Sequence, residues 1–257
     1  MLDGHIHIHN QPYDLETIDN MVRVAMEKGI DELNILDHTH KFKEFNFLYT
    51  NLKGSYSLAF FERKKNSQVK LKEYIEFIKL VKSYKWPIKL NFGLEVCYFK
   101  EHEKEFKDFI DSLKPFSFDF LIGSVHYTDG MCVDLCKEVF EEVDVDEYYK
   151  HYFRDLIDAI HSRLFDVIAH PDLIKLFGYY PSYSLLPYYE ELAKEFAKYH
   201  QLTENNSGLI RHGYPYPGMA KELIDALKRH NVKFHKSSDA HVYQDIGRVF
   251  NQLEDNL

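Results

Sequence analysis

The side chains in this chain that can bind a metal recur in a pattern. The N-terminus reads MLDGHIHIHN, where His5, His7 and His9 alternate with Ile6 and Ile8. Residues two apart on a strand share a face, so the alternation sets imidazoles side by side. Further along come Asp37-His38, Glu95, His126, His170, Glu204-Asn205-Asn206, and Asp239 followed two residues later by His241. A lone histidine in an apolar strand is ordinarily a hydrogen-bonded core residue, and a lone Glu95 ordinarily a buried acid paired with a base. Recurrence of the same residue types is what needs a common cause. Imidazoles and carboxylates without thiolates suit zinc, manganese or iron in clusters bridged by carboxylate and water. So many donors exceed one ion, and two or three are expected. Such clusters bind phosphoryl oxygens, acidify bound water and hold nucleophile and leaving group in line.

The elements that position these residues follow from apolar periodicity. Short apolar runs occur at 5–8, 33–37, 88–96, 118–126, 165–170, 202–206 and 232–239. Between them lie helical patterns, the first opening at Asp14 as N-cap and stopping at Gly29. Further helical patterns cover 71–84, 102–113, 144–162, 184–199 and 217–230. Strands alternating with helices signal a parallel sheet. Closed on itself, it is a (β/α)-type barrel, whose chemistry sits at the C-terminal ends of the strands. Each run above carries or ends in one of the metal-binding groups. An open doubly wound sheet is the alternative, weakened by the lack of a Gly-rich loop after the first strand. Residues 41–69 form an unusually long connection, read either as a binding loop or lid, or as a surface excursion packed by its own aromatics.

With 257 residues, one domain spanning 1–257 is expected. The 32 basic and 41 acidic residues leave a net charge of −9, which argues against nucleic acid as the main partner. A small phosphorylated molecule needs only a local positive centre. No apolar run is long enough for a membrane span, and no signal peptide is visible, so a cytoplasmic protein is expected. Cys97, Cys132 and Cys136 read as reduced thiols, since nothing nearby completes a thiolate site around Cys132 and Cys136.

The motifs DGHIHI, LDHTH, FGLEV, GSVH, FDVIAHPDLIK, TENNSGLIR and SSDAH, in this order from Asp3 to His241, resemble the polymerase and histidinol phosphatase (PHP) superfamily. GSVHY, EYY…FDVIAHPDLIKLF and ENNSGLIR are most similar to its L-histidinol-phosphate phosphatases. The resemblance implies a distorted (β/α)7 barrel and a metal-dependent phosphomonoesterase. Its expected reaction is hydrolysis of L-histidinol phosphate in histidine biosynthesis, by attack of a metal-bridging hydroxide. It implies His5, His7, His38, Glu95, His126, His170, Asp239 and His241 as ligands of two or three Zn, Mn or Fe ions. Asp239, Glu95 and His241 are then nearest the chemistry, with Arg211 and His212 on the substrate phosphate. One position departs from the family: Tyr13 stands where a further histidine is common. Either the centre is binuclear, or His9 or His40 substitutes.

Substrate recognition draws on fewer signals. The aromatics of 41–69 and 177–189 are available for the imidazole ring and the cation. Asp129 or Glu44 is available for the ammonium. Two other functions stay open: a PHP-type phosphoesterase acting on another small phosphomonoester or a nucleotide phosphodiester, and a metal-binding module without catalysis. Oligomeric state is not legible.

Overall fold

A computed structural model describes residues 1–8 and 10–257; the expectation for His9 falls outside the described residues. Seven parallel strands run β1 (Leu2–His7), β2 (Glu32–His38), β3 (Lys89–Cys97), β4 (Phe120–Ser124), β7 (Val167–Ile168), β8 (Leu202–Asn206) and β9 (Phe234–Ser237). They pair in that order within one sheet. The first and last strands then meet. Ile6 bridges Ala240 in parallel, and His7 N donates to Ala240 O at 2.7 Å. Asp3 reinforces the closure, its carboxylate accepting from Ser238 N and Gly247 N, both at 2.9 Å. This is the nearly closed, distorted (β/α)7 barrel, and the open sheet is excluded.

The outer layer is formed by α1 (Leu15–Glu27), α2 (Ser55–Lys65), α3 (Leu71–Lys82), α4 (Glu103–Ser112), α5 (Val145–Ser162), α6 (Leu186–Tyr199) and α7 (Lys221–Arg229). Asp14 caps α1 as expected, accepting from Thr17 N at 2.8 Å. The main apolar core lies between strands and helices. Among the described residues, a small second apolar cluster of Leu36, Phe120, Ile122, Val167 and Ala169 plugs the barrel interior. Above that plug the strands offer polar side chains to one rim.

Three expected boundaries shift. β1 starts at Leu2, ahead of the alternating histidines. The run at 165–170 shrinks to Val167–Ile168, because His170 turns out of the strand with φ 24°. The 41–69 connection contains α2, which has no three-and-four spacing to announce it: its apolar residues are bunched at 58–61 and its charges at 62–65. The segment packs on its own aromatics, as one of the two readings expects, and also reaches the rim. Phe42, Phe45, Tyr49 and Phe61 are buried, and Phe60 and Lys64 face a cavity over the rim. A short antiparallel hairpin, β5 (Tyr127–Thr128) with β6 (Met131–Cys132), follows β4.

Candidate metal centre

Glu95 is the hub. Adjacent parallel strands place His38 of β2 in register with Glu95 of β3. Glu95 Oε2 lies 2.8 Å from His38 Nδ1, 3.3 Å from His7 Nε2 and 3.6 Å from His5 Nε2. Its other oxygen, Oε1, lies 3.0 Å from His170 Nε2 and 3.2 Å from His126 Nε2. One buried carboxylate thus divides five imidazoles into a group of three and a group of two. Asp239 adds a second carboxylate, with Oδ1 3.1 Å from His7 Nε2 and 3.8 Å from His5 Nε2. His241 packs its ring 4.3 Å from that of His7.

The donor set fits divalent ions. Glu95 Oε2 and Asp239 Oδ1 are buried and accept no well-directed hydrogen bond, although imidazole nitrogens crowd them. Three sets of donor atoms lie within 4.8 Å of one another: His5, His7 and Glu95; His38, Glu95 and His126; and His7, His38 and His241. Sharing of Glu95 between sets is what a bridging carboxylate requires.

The electrostatics agree. Burial resists charge on Glu95, yet His126, His38 and His5 hold its carboxyl well below the usual range. Burial likewise opposes ionisation of Asp239, and His5, the adjacent His7 ring and Arg211 overcome it. Burial, with His38 and His241 nearby, pushes His7 well below the ordinary imidazole value. A neutral imidazole is the form that ligates.

Two of these residues sit in strained backbone. His170 has φ 24° and Asp239 φ 51°, in a region that side chains with a Cβ avoid. Such conformations cost about 1–3 kcal/mol and persist where the surroundings over-determine them. Gly208 makes room for Asp239, since a Cβ there would stand 2.3 Å from Asp239 Oδ2.

A cavity of about 350 Å³ opens over the cluster, lined by His38, Glu95, His126, His170, Asp239 and His241. Arg211 and His212 also line it. Arg211 Nη1 donates to Asp239 O at 2.7 Å and sits 2.5 Å from His241 Nδ1. His40 reaches the cavity by stacking on His38, ring centroids 4.6 Å apart, and belongs to none of the three donor sets found among the described residues. Tyr13 is not on the wall; its hydroxyl donates to Asp37 Oδ2 at 2.5 Å.

Some expectations are corrected. Glu44 accepts from Leu71 N at 3.0 Å and anchors the start of α3. Asp129 lies in a separate surface cleft, 2.5 Å from His151 Nδ1. Of the aromatics of 177–189, Tyr180 and Tyr189 line another cavity, and none lines the one over the rim. Sequence reasoning put Glu204 at the rim without a role. It accepts from His5 Nδ1, at 3.1 and 3.2 Å from its two oxygens, and so supports the His5 ring from behind. Phe60, one of the aromatics of 41–69, lines the cavity; sequence reasoning missed Asp134 and Lys64, which line it from the hairpin and α2 and carry no distinguishing local pattern.

Among known proteins, the chain is 27% identical to the histidinol-phosphatase of Bacillus subtilis, over 96% of each chain. Its fold matches a histidinol phosphate phosphatase of Lactococcus lactis solved with zinc, L-histidinol and phosphate. There the TM-score is 0.68 at 19% identity, covering 98% of this chain and 91% of that one. A Listeria monocytogenes structure assigned as a candidate histidinol phosphatase matches with a TM-score of 0.78 at 21% identity, covering 98% and 99%. The model of the PHP domain matches residues 3–210, and the chain therefore belongs to the PHP domain family.

Proposed function

We propose that this protein hydrolyses L-histidinol phosphate to L-histidinol and inorganic phosphate, using two or three divalent ions held by His5, His7, His38, Glu95, His126, His170, Asp239 and His241. The observation that carries this reading is Glu95, buried and shared among five imidazoles within 3.6 Å beneath a cavity rimmed by Arg211. The family and the function of the Bacillus subtilis relative point the same way. Zinc is bound by the Lactococcus lactis protein, and manganese and iron suit the same donors.

Bound divalent ions supply Lewis acidity toward phosphoryl oxygens and acidify water at neutral pH. The chain's own groups do the rest. Arg211 offers fixed N–H donors to non-bridging phosphoryl oxygens, where charge develops during transfer. His212 adds a donor beside it; burial, with Arg211 adjacent, lowers its pKa and favours the neutral ring. Asp239, held ionised by its neighbours, lines the cavity, so its carboxylate orients the attacking water as an acceptor. Water's oxygen bonds to phosphorus, the bond to the substrate's alcohol oxygen breaks, and that oxygen takes up a proton.

The test is elemental analysis and phosphate release from L-histidinol phosphate on the same purified sample. Turnover that falls with chelation and returns with added metal is expected. Glu95→Ala should lose metal and turnover together while its far-UV circular dichroism stays that of the parent. Full activity in metal-depleted Glu95→Ala would sink the reading.

A further inference from the structure

We propose that Asp134 selects substrates with a cationic group on the alcohol half, pairing its carboxylate with the ammonium of L-histidinol phosphate. The inference rests on the phosphatase reading and adds to it the residue that sets specificity.

Three carboxylates line the cavity among the described residues: Glu95, Asp239 and Asp134. The first two are surrounded by the imidazoles of the metal centre. Asp134 is outside that cluster. Its one hydrogen bond among the described residues comes from the Cys132 thiol, 3.1 Å from Oδ1, and no basic side chain there forms an ion pair with it. It is a carboxylate facing a small cavity with no ion pair to a described lysine or arginine, although Lys64 and Arg211 line the same cavity.

Asp134 is also held in place. Val133 N donates to His126 O at 2.9 Å, tying this segment to the end of β4. Cys132 N donates to Ser57 Oγ of α2 at 2.9 Å, and the Tyr148 hydroxyl donates to Met131 O at 2.9 Å. The carboxylate is therefore presented from a pinned hairpin, and its field reaches both His126 and His212. The neighbouring wall is apolar or aromatic: Phe60, Tyr127, Leu135, Leu173 and Leu209. An ion pair beside such surfaces is screened less than one in open water. Arg211 and Lys64 on the same cavity offer cationic groups for an anion and Asp134 a carboxylate for a cation, which matches a dipolar phosphate ester. A polar group built to pair with a substrate's charge rejects the analogue that lacks it.

The experiment compares kcat/KM of the metal-loaded enzyme for L-histidinol phosphate and for 3-(imidazol-4-yl)propyl phosphate, which lacks only the aminomethine's ammonium. The wild type should favour the amine by about 10- to 100-fold. Asp134→Asn, which keeps volume and an acceptor for Cys132, should bring the ratio of the two substrates close to one. Asp134→Glu should restore part of the preference. Product inhibition of the wild type reads the same contact without any variant: L-histidinol should inhibit more strongly than 3-(imidazol-4-yl)propan-1-ol. Equal inhibition by the two alcohols, or a wild-type ratio retained in Asp134→Asn, overturns the assignment to Asp134 and leaves the phosphatase reading standing. Release of phosphate from neither ester by the wild type overturns the phosphatase reading, and this inference with it.

Discussion

Replacing Glu204 by Gln removes one negative charge from behind the centre while keeping the side chain's shape. Glu204 is fully buried and accepts from His5 Nδ1, from His170 N at 3.2 Å and from Asn206 Nδ2 at 2.7 Å. Accepting the Nδ1 proton leaves His5 Nε2 as the atom turned toward Glu95 and Asp239. A carboxylate that fixes a ligand's tautomer in this way is worth about 10- to 100-fold in metal affinity. The same pairing acts on stability. Burial raises the Glu204 carboxyl pKa, but His5 and its hydrogen bond outweigh that and bring it from 4.5 down to about 2. Between those values the unfolded chain binds a proton that the folded chain refuses. The contribution is present above the unfolded value and drains away as pH falls through the folded one, amounting to up to about 3 kcal/mol in metal-free protein. Two assays follow: competition with a chromophoric chelator for metal affinity, and urea unfolding of chelator-stripped protein between pH 7 and acid. Glu204→Gln should bind metal about 10- to 100-fold more weakly and show a shallower acid loss of stability than the parent. Metal affinity within about twofold of the parent, a change too small for this class of contact, would refute the argument that Glu204 sets the tautomer of His5.

Two further substitutions test the rim. Arg211→Ala should lower kcat/KM for L-histidinol phosphate by about 10- to 100-fold, with metal content kept, because it removes charge-assisted donors from the phosphoryl group. Steady-state kinetics equal to the parent's would show that the phosphate is held elsewhere. Gly208→Ala puts a methyl group 2.3 Å from Asp239 Oδ2, so it should displace that carboxylate, cut turnover and cost about 1–3 kcal/mol in a urea titration. Parent-like turnover would mean that Asp239 does not act from its present position.

What could be read without coordinates was whatever repeats. Barrel strands are parallel, so their C-terminal ends converge on one rim, and a histidine or acid at each end becomes a cluster by topology alone. The residues that escaped have single, long-range reasons for their places. Glu204 meets His5 across 199 residues, through barrel closure that no local window contains. Asp134 reaches the cavity because a hairpin of two-residue strands folds back onto β4, too short to leave an alternating pattern. Lys64 arrives on α2, whose bunched apolar residues conceal its helicity.

Position 13 shows what a family pattern cannot decide by itself. The resemblance puts a histidine there and makes its loss a gap in the ligand set. In the folded chain Tyr13 stacks on Phe77 with ring centroids 5.2 Å apart and donates to Asp37. Burial and the Asp37 charge push its phenol pKa far above the ordinary value, so the proton stays on the hydroxyl and the bond keeps its direction. Asp37 in turn is buried, with its carboxyl raised to about 7, and Oδ1 accepts from the backbone N–H of His38. A histidine in that place could donate the same hydrogen bond only by committing one ring nitrogen to Asp37. Tyrosine provides the donor from outside the cavity and offers no imidazole to the centre. Its substitution therefore acts on how the end of β2 presents His38, one bond removed from the proposed ions.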